Sequence, residues 1–182
     1  MLNTTNARTT DAVDQDGDTA LMRAAHNGDL AEVDALLQAG ADIHAATEGW
    51  NVLMLAAGNG HLAVVDALRR AGADMDARSR HDVTALMLAA ANGHLPVVDM
   101  LRDAGADMDA RSKAGWSALM FAVHHGHSAV ADALRDAGAQ MHVRANGGAT
   151  ALMSVAGTGR LRVVHVLGAV GAGSCQAACN GN

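Results

Sequence analysis

Residues 83–110 read VTALMLAAANGHLPVVDMLRDAGADMDA, and closely similar stretches lie before and after them along the chain. Each stretch carries two glycines in matched positions. The first glycine series is Gly28, Gly60, Gly93, Gly126 and Gly159, and the second series is Gly40, Gly72, Gly105, Gly138 and Gly171. The steps in the first series are 32, 33, 33 and 33 residues. A fixed period of this length is typical of a repeat architecture, and five such units use nearly all of the 182 residues.

Each unit predicts two helices. The first helix begins after a residue whose side chain can accept a hydrogen bond from a free backbone N–H of the first turn. These predicted N-caps are Thr19, Asn51, Thr84, Ser117 and Thr150. The first-series glycine then ends the helix in a left-handed conformation. In the second predicted helix, 61–71 in the second unit, the apolar residues share one stripe, and Asp66 lies three residues before Arg69 on the outer side.

The composite unit G-x-T-A-L-M-L-A-A-x-x-G-H-L-x-V-V-x-x-L-x-x-A-G-A-D-M-D-A resembles an ankyrin repeat, and the resemblance covers roughly residues 14–172. It implies an all-α repeat solenoid of paired antiparallel helices joined by β-hairpins or turns. The predicted repeats span 14–46, 47–78, 79–111, 112–144 and 145–172, between a flexible N-terminal segment, 1–13, and a C-terminal tail, 173–182. The resemblance also implies a protein–protein interaction module that binds through its hairpin tips and the concave face of its first helices.

Two positions depart from the ankyrin pattern. The family's proline at the first helical position is replaced by Ala20, Ala85, Ala118 and Ala151, and by Val52 in the second repeat. The family's histidine two positions later is replaced by Met22, Met54, Met87, Met120 and Met153. Alanine is a good helix former, and methionine exchanges a hydrogen bond for a soft apolar contact. The fold is therefore expected to survive both changes.

The two end repeats carry residues that differ from those of the inner repeats. Arg23 stands where the inner repeats have Leu55, Leu88 and Phe121, which we expect in the core, and Glu32 stands where they have Val64, Val97 and Val130. Polar residues at these positions predict a solvated N-terminal end. The last repeat is instead apolar over 163–170, which predicts either a frayed helix or a cover supplied by the tail, by a partner or by self-association of two chains.

Composition and charge exclude several classes of protein. Thirteen basic against nineteen acidic residues give a net charge of −6, which argues against nucleic-acid binding. No apolar stretch reaches the roughly 18–20 residues of a membrane span. The N-terminal residues carry no secretory signal and the only cysteines lie near the C-terminus, so we expect a cytoplasmic protein. No catalytic or phosphate-binding motif occurs, and we expect neither enzymatic activity nor a cofactor.

The histidines do not predict a metal site. His124, His125 and His127 lie close together and suit adventitious metal binding, but no carboxylate or cysteine is fixed beside them by sequence. Equivalent hairpin positions carry His44, Asp76, Asp109 and His142. These side chains are expected about one repeat apart, roughly 10 Å, which is too wide for a single ion.

Residues that differ between the repeats predict the contact surface. Just before the N-cap the five repeats have Asp18, Trp50, Val83, Trp116 and Ala149. Stacking does not require tryptophan there, so we predict that Trp50 and Trp116 anchor a partner, with local packing on a neighbouring hairpin as the alternative. Val83 is predicted as a further contact. The variable, mostly polar pairs before the first-series glycines also fit a contact surface; they are His26–Asn27, Gly58–Asn59, Ala91–Asn92, His124–His125 and Gly157–Thr158.

Basic residues recur along the predicted hairpin row. They are Arg78, Arg111 and Arg144 at 33-residue spacing, with Arg80 and Lys113 two residues after the first two, and we call these five the basic strip. In an acidic protein, this basic strip predicts recognition of an acidic partner segment. The alternative is a row of solvated loop charges that pair with Asp76 and Asp109.

The tail, GAGSCQAACNGN, breaks the repeat pattern. Ser174, Cys175 and Cys179 make it a candidate for enzymatic modification, in which case the chain is a carrier or precursor with the repeats as a docking handle. A redox pair of the two cysteines and an unstructured end with incidental thiols are the other interpretations.

Overall fold

The computed structural model describes residues 11–14, 17–47, 49–140 and 145–146. Its helices are, in chain order, α1 (Ala20–Asn27), α2 (Leu30–Gln38), α3 (Val52–Gly58), α4 (Leu62–Arg70), α5 (Ala85–Asn92), α6 (Leu95–Asp103), α7 (Ala118–His125) and α8 (Ser128–Asp136). Two short strands, β1 (Ala46–Thr47) and β2 (Trp50–Asn51), lie between α2 and α3. Within the described ranges the chain thus forms four helix pairs, which correspond to the first four predicted repeats.

The first helix of each pair begins and ends where the sequence predicts. The side chains of Thr19, Asn51, Thr84 and Ser117 accept hydrogen bonds from the backbone N–H three residues later, at 3.2, 2.8, 3.4 and 3.4 Å. Glycines follow these helices in the left-handed region, with φ of 78° to 82° at Gly28, Gly60, Gly93 and Gly126. The predicted N-caps and terminating glycines are therefore confirmed in the described repeats.

Helices of the same kind stack on one another. The first helices α1, α3, α5 and α7 form one layer in chain order, the second helices form another, and each first helix also packs on the second helix of its own repeat. The methionines at the position of the family's histidine are buried between the layers, namely Met22, Met54, Met87 and Met120. This stack confirms the all-α repeat solenoid and the soft apolar contact expected of the methionines.

Histidine rings join each repeat to the one before it. Nε2 of His61, His94 and His127 donates to the backbone carbonyls of His26, Gly58 and Ala91, at 2.9, 3.0 and 3.0 Å. The ring of His94 lies directly over Gly60, where an added Cβ would come within 2.6 Å of Nδ1. Gly60 is therefore required both by its positive φ and by the histidine of the following repeat.

The hairpins between repeats are short. Thr47 pairs with Trp50 across β1 and β2, and two backbone bonds close each of the next two turns. Ser79 N donates to Val83 O and Ser79 O accepts from Asp82 N; Ser112 N donates to Trp116 O and Ser112 O accepts from Gly115 N. Glycine takes the left-handed turn position at Gly17, Gly49 and Gly115, and Asp82 replaces it in the third repeat with φ of 55°. Aspartate tolerates this region better than most residues, yet it carries a steric cost there that glycine avoids.

The exposed side of the second helices carries the predicted ion pairs. Arg69, Arg102 and Arg135 lie 2.8, 3.0 and 2.7 Å from the aspartates three residues before them. Asp66 accepts hydrogen bonds from both Arg69 and Arg70, which lower the pKa of its carboxyl. Hydrogen bonds to Asp103 and Asp136 raise the pKa of Arg102 and Arg135. These pairs sit at the surface, where they add modestly to helix stability.

The N-terminal end of the stack is polar, as predicted. Arg23 forms an ion pair of 2.8 Å with Asp14, and Glu32 is exposed where the inner repeats bury valine. Part of the segment predicted to be flexible contacts the first repeat, since Val13 forms a β-bridge with Thr19 and Asp11 accepts a hydrogen bond from Asp42 N. Residues 1–10 and the apolar stretch 163–170 lie outside the described residues.

One core assignment is wrong. Leu55, Leu88 and Phe121 are expected in the core from the sequence but are half-buried. The second helices do bury their repeated valines, Val64, Val97 and Val130. Leu55, Leu88 and Phe121 lie on the side of the first helices that the second helices do not cover. The position therefore belongs to an open surface and not to the core.

Candidate functional site

An open groove runs along the uncovered side of the first helices. It has a volume of about 310 Å³ and joins parts of three repeats. We call it the first-helix groove; its lining residues are His26, Trp50, Met54, Leu55, Gly58, Asn59, Leu88 and Asn92. Leu55 from α3 and Leu88 from α5 give it an apolar floor, because these half-buried side chains are packed on the core from one side and face solvent on the other.

Polar side chains that rim the groove are held by the repeat stack. Asn92 Nδ2 donates to Gly58 O at 2.6 Å, and Asn59 Nδ2 donates to Leu55 O at 2.9 Å. Asn59 Nδ2 also lies 3.2 Å from His26 Nδ1 of the preceding repeat. These bonds fix the rim before any ligand arrives, which lowers the entropy lost on binding.

Trp50 stands at the hairpin end of the groove. It belongs to β2 and is 38% exposed, so a large aromatic surface remains in contact with water. The hairpin glycine before it, Gly49, is covered by Arg80, and an added Cβ there would come within 2.6 Å of Arg80 Cγ. We number each hairpin by the repeat that it opens, so the third hairpin is residues 78–83 and the fourth is 111–116. Arg80 of the third hairpin therefore lies beside the end of the groove that Trp50 marks.

Trp116 occupies the matched position two repeats later but has a different environment. Its ring is half-buried, with centroids 5.3 Å from Phe121 and 4.9 Å from His124. The ring of His125 in turn lies 5.1 Å from that of His124, and its Nδ1 donates to Phe121 O at 2.9 Å. Among the described residues, Trp116 thus packs on α7 of its own repeat and not on a neighbouring hairpin, while His124 and His125 of α7 remain exposed.

Val83 is also packed into its own hairpin. Its backbone N–H donates to Ser79 Oγ at 3.1 Å, its carbonyl accepts from Ser79 N at 2.9 Å, and its half-buried side chain contacts the core. Val83 and Trp116 are therefore both less exposed than Trp50.

The described members of the basic strip lie on or next to the hairpins, and they do not pair with Asp76 or Asp109, which bind backbone N–H groups instead. Asp76 Oδ1 accepts from Asp107 N at 2.8 Å, and Asp109 Oδ1 accepts from Gln140 N at 3.0 Å, so both carboxylates join neighbouring repeats. The guanidinium of Arg111 donates to Gly115 O at 3.0 Å. Arg78 donates to Arg111 O at 3.3 Å and forms no ion pair with any described carboxylate.

One family model matches most of the chain. The model described as ankyrin repeats (3 copies) matches four overlapping stretches, residues 2–79, 22–112, 53–145 and 86–176. The chain belongs to the ankyrin repeat family. Ankyrin repeats generally mediate protein–protein interaction and are generally non-catalytic. A search of curated proteins finds no match for the chain.

Two residues of the groove floor in these ankyrin repeats, Leu55 and Leu88, are not predicted as surface from the sequence. Leu55 and Leu88 carried a usable signal, because the matched position changes to Arg23 in the first repeat and to Phe121 in the fourth. Their assignment to the core removed them from the predicted surface. Asn59 and Asn92 belong to the variable pairs before the first-series glycines, which the sequence predicts as a contact surface, and both line the groove together with His26 and Gly58 of the same pairs.

The remaining predictions concern metals, membranes and the tail. Among the described residues of the ankyrin domain, no three His, Cys, Asp or Glu side chains come together as metal ligands. In the same residues no helix has the length and apolar character needed to cross a bilayer. Arg144, Ser174, Cys175 and Cys179 lie outside the described residues, so the modified-tail and redox interpretations stay predictions.

Proposed function

We propose that this ankyrin domain binds a segment of another protein in the first-helix groove, with one bulky apolar side chain of the partner seated between Trp50, Leu55 and Leu88. The observation that supports this most is the groove itself, whose floor is apolar and open while its rim is polar and fixed. An apolar recess with a few ordered polar groups is the usual form of a specific contact site.

Trp50 is the anchor that the ankyrin domain contributes to the proposed contact. It combines an aromatic surface that is 38% exposed with a backbone fixed in β2, so little backbone freedom is lost on binding. Tryptophan is among the residues most enriched at binding hot spots, and truncation of such an anchor typically costs about 2 kcal/mol or more. We expect Trp50→Ala to weaken partner binding by at least tenfold.

The neighbouring residues form the periphery of the same surface. Val83, Trp116, His124 and His125 continue it along the hairpins and α7, and smaller effects are expected there than at Trp50. The proposed function is non-catalytic, and a cytoplasmic location remains part of the proposal.

A random peptide library displayed on phage tests the groove and does not require the partner to be identified first. Peptides selected on the wild-type domain are measured against Trp50→Ala and against Leu62→Ala. Leu62 is a matched control because it lies in the same repeat, on α4, and is likewise 38% exposed, but does not line the groove. Loss of binding in the Trp50 variant alone supports the proposal. Peptides that bind both variants as tightly as the wild type contradict it.

A further inference from the structure

The arginines of this domain fall into two groups. On the second helices, Arg69, Arg70, Arg102 and Arg135 each lie within 3.0 Å of an aspartate. On the hairpins, the exposed side chains of Arg78, Arg80 and Lys113 form no ion pair with any carboxylate of the described residues. The helix cations are thus paired within the fold, whereas the three hairpin cations have no carboxylate partner among the described residues.

The three hairpin cations lie on hairpins that are joined to one another. Lys113 N donates to His81 O at 2.9 Å, so the third and fourth hairpins are bonded through their backbones. Arg78 reaches from the third hairpin to the carbonyl of Arg111 on the fourth. Two aspartates near these hairpins are engaged elsewhere, because Asp76 and Asp109 accept backbone N–H groups of the following repeats.

Arg80 connects these cations to the first-helix groove. Its backbone N and its Cγ lie within 2.7 Å of the space that a Cβ on Gly49 would occupy, and Gly49 precedes Trp50 directly. A chain segment that leaves the groove past Trp50 therefore passes Arg80, whose hairpin is bonded to that of Lys113.

We infer that the partner segment is an acidic peptide, in which Asp or Glu residues lie within a few positions of the bulky apolar side chain that fills the groove. This inference rests on the proposed function and adds the chemistry of the partner to it. The apolar side chain supplies the buried contact, and the carboxylates next to it pair with Arg80, Arg78 and Lys113.

The negative net charge means that affinity for an acidic peptide would depend on the hairpin cations in particular. At −6 the whole chain repels an acidic peptide, so an affinity for such peptides has to come from the local arrangement of the hairpin cations. Pairs of this kind are exposed, so each contributes modestly, raises the association rate and weakens as salt screens it.

The test uses the peptides selected from the random library. We expect them to carry Asp and Glu in excess of the library's composition, close to one aromatic or large aliphatic residue. The affinity of one selected peptide is then measured for wild type, Arg80→Glu and Arg70→Glu, at 50 mM and 500 mM salt. The two variants have the same net charge, but Arg70 lies on α4, outside the groove. Circular dichroism establishes that both variants fold.

For Arg80→Glu we expect roughly fivefold to tenfold weaker binding at low salt, and a loss of about twofold or less at high salt. Arg70→Glu is expected to stay within about twofold of the wild type throughout. Selected peptides that depend on Trp50 but show neither acidic enrichment nor an Arg80 effect overturn this inference and leave the groove proposal standing. Peptides that ignore Trp50, or a selection that enriches none, overturn both.

Discussion

Replacing Gly60 by alanine tests the joint between repeats that the histidine rings provide. Gly60 has φ of 78°, and an added Cβ would lie 2.6 Å from Nδ1 of His94. Gly72 offers a matched control, because its φ is 90° while nothing lies within 4 Å of its added Cβ. Both substitutions strain the backbone, and only the first forces the histidine to move.

The expected magnitudes follow from these two environments. For Gly72→Ala the left-handed conformation costs about 1–2 kcal/mol, reduced somewhat because alanine also restricts the unfolded chain, so the net loss is about 1 kcal/mol. Gly60→Ala adds about 1 kcal/mol for the hydrogen bond from His94 to Gly58 O and about 1 kcal/mol or more for the steric conflict. The Gly60 variant should therefore lose about 3 kcal/mol of its free energy of unfolding.

Urea unfolding, followed by circular dichroism and by tryptophan fluorescence, measures these differences, and agreement of the two signals establishes that one transition is observed. A double-mutant cycle with His94→Ala isolates the ring contact, because Gly58 O keeps its bond from Asn92 when the imidazole is absent. In the His94→Ala background, Gly60→Ala should cost about 1 kcal/mol, as at Gly72. The reasoning is refuted if Gly60→Ala and Gly72→Ala are equally destabilising in the wild-type background.

Three further predictions concern single residues. Trp116→Ala should lower the free energy of unfolding by about 1–2 kcal/mol, since its ring packs on Phe121 and His124, and an unchanged urea midpoint would contradict this. Asp82→Gly should raise it by up to about 1 kcal/mol by relieving the left-handed conformation, and a lower midpoint would contradict that. Hydrogen bonds from Arg69 and Arg70 lower the pKa of Asp66 in the folded chain. The ionised carboxylate therefore stabilises the fold above its ordinary pKa of about 3.8, and this stabilisation is lost as the pH falls through the lowered pKa. The melting temperature of Asp66→Asn should therefore approach that of wild type between pH 5 and about pH 2, and a constant difference would count against the pair.

Much of this fold could be predicted because its determinants are local. A hydroxyl or amide at the N-cap and a glycine at the far end specify a helix within about ten residues, whatever lies around it. The ring of His94 over Gly60 is a different case. The sequence repeats both residues, but it gives no sign that they meet across a repeat boundary, since that contact depends on how two repeats stack.

The same dependence explains why the candidate site was only partly predicted. Trp50 and Trp116 hold matched places in the repeat, and the sequence alone assigns them one role. The fourth repeat, however, has Phe121 and His124 beside its tryptophan, which take up that ring, whereas Leu55 and Leu88 leave a recess beside Trp50. At the position that Leu55, Leu88 and Phe121 share, leucine in the second and third repeats leaves the groove open, whereas Phe121 in the fourth repeat packs against the tryptophan. A regular apolar position in a solenoid can therefore line an open surface instead of the core, and here it places the proposed contact in the second and third repeats.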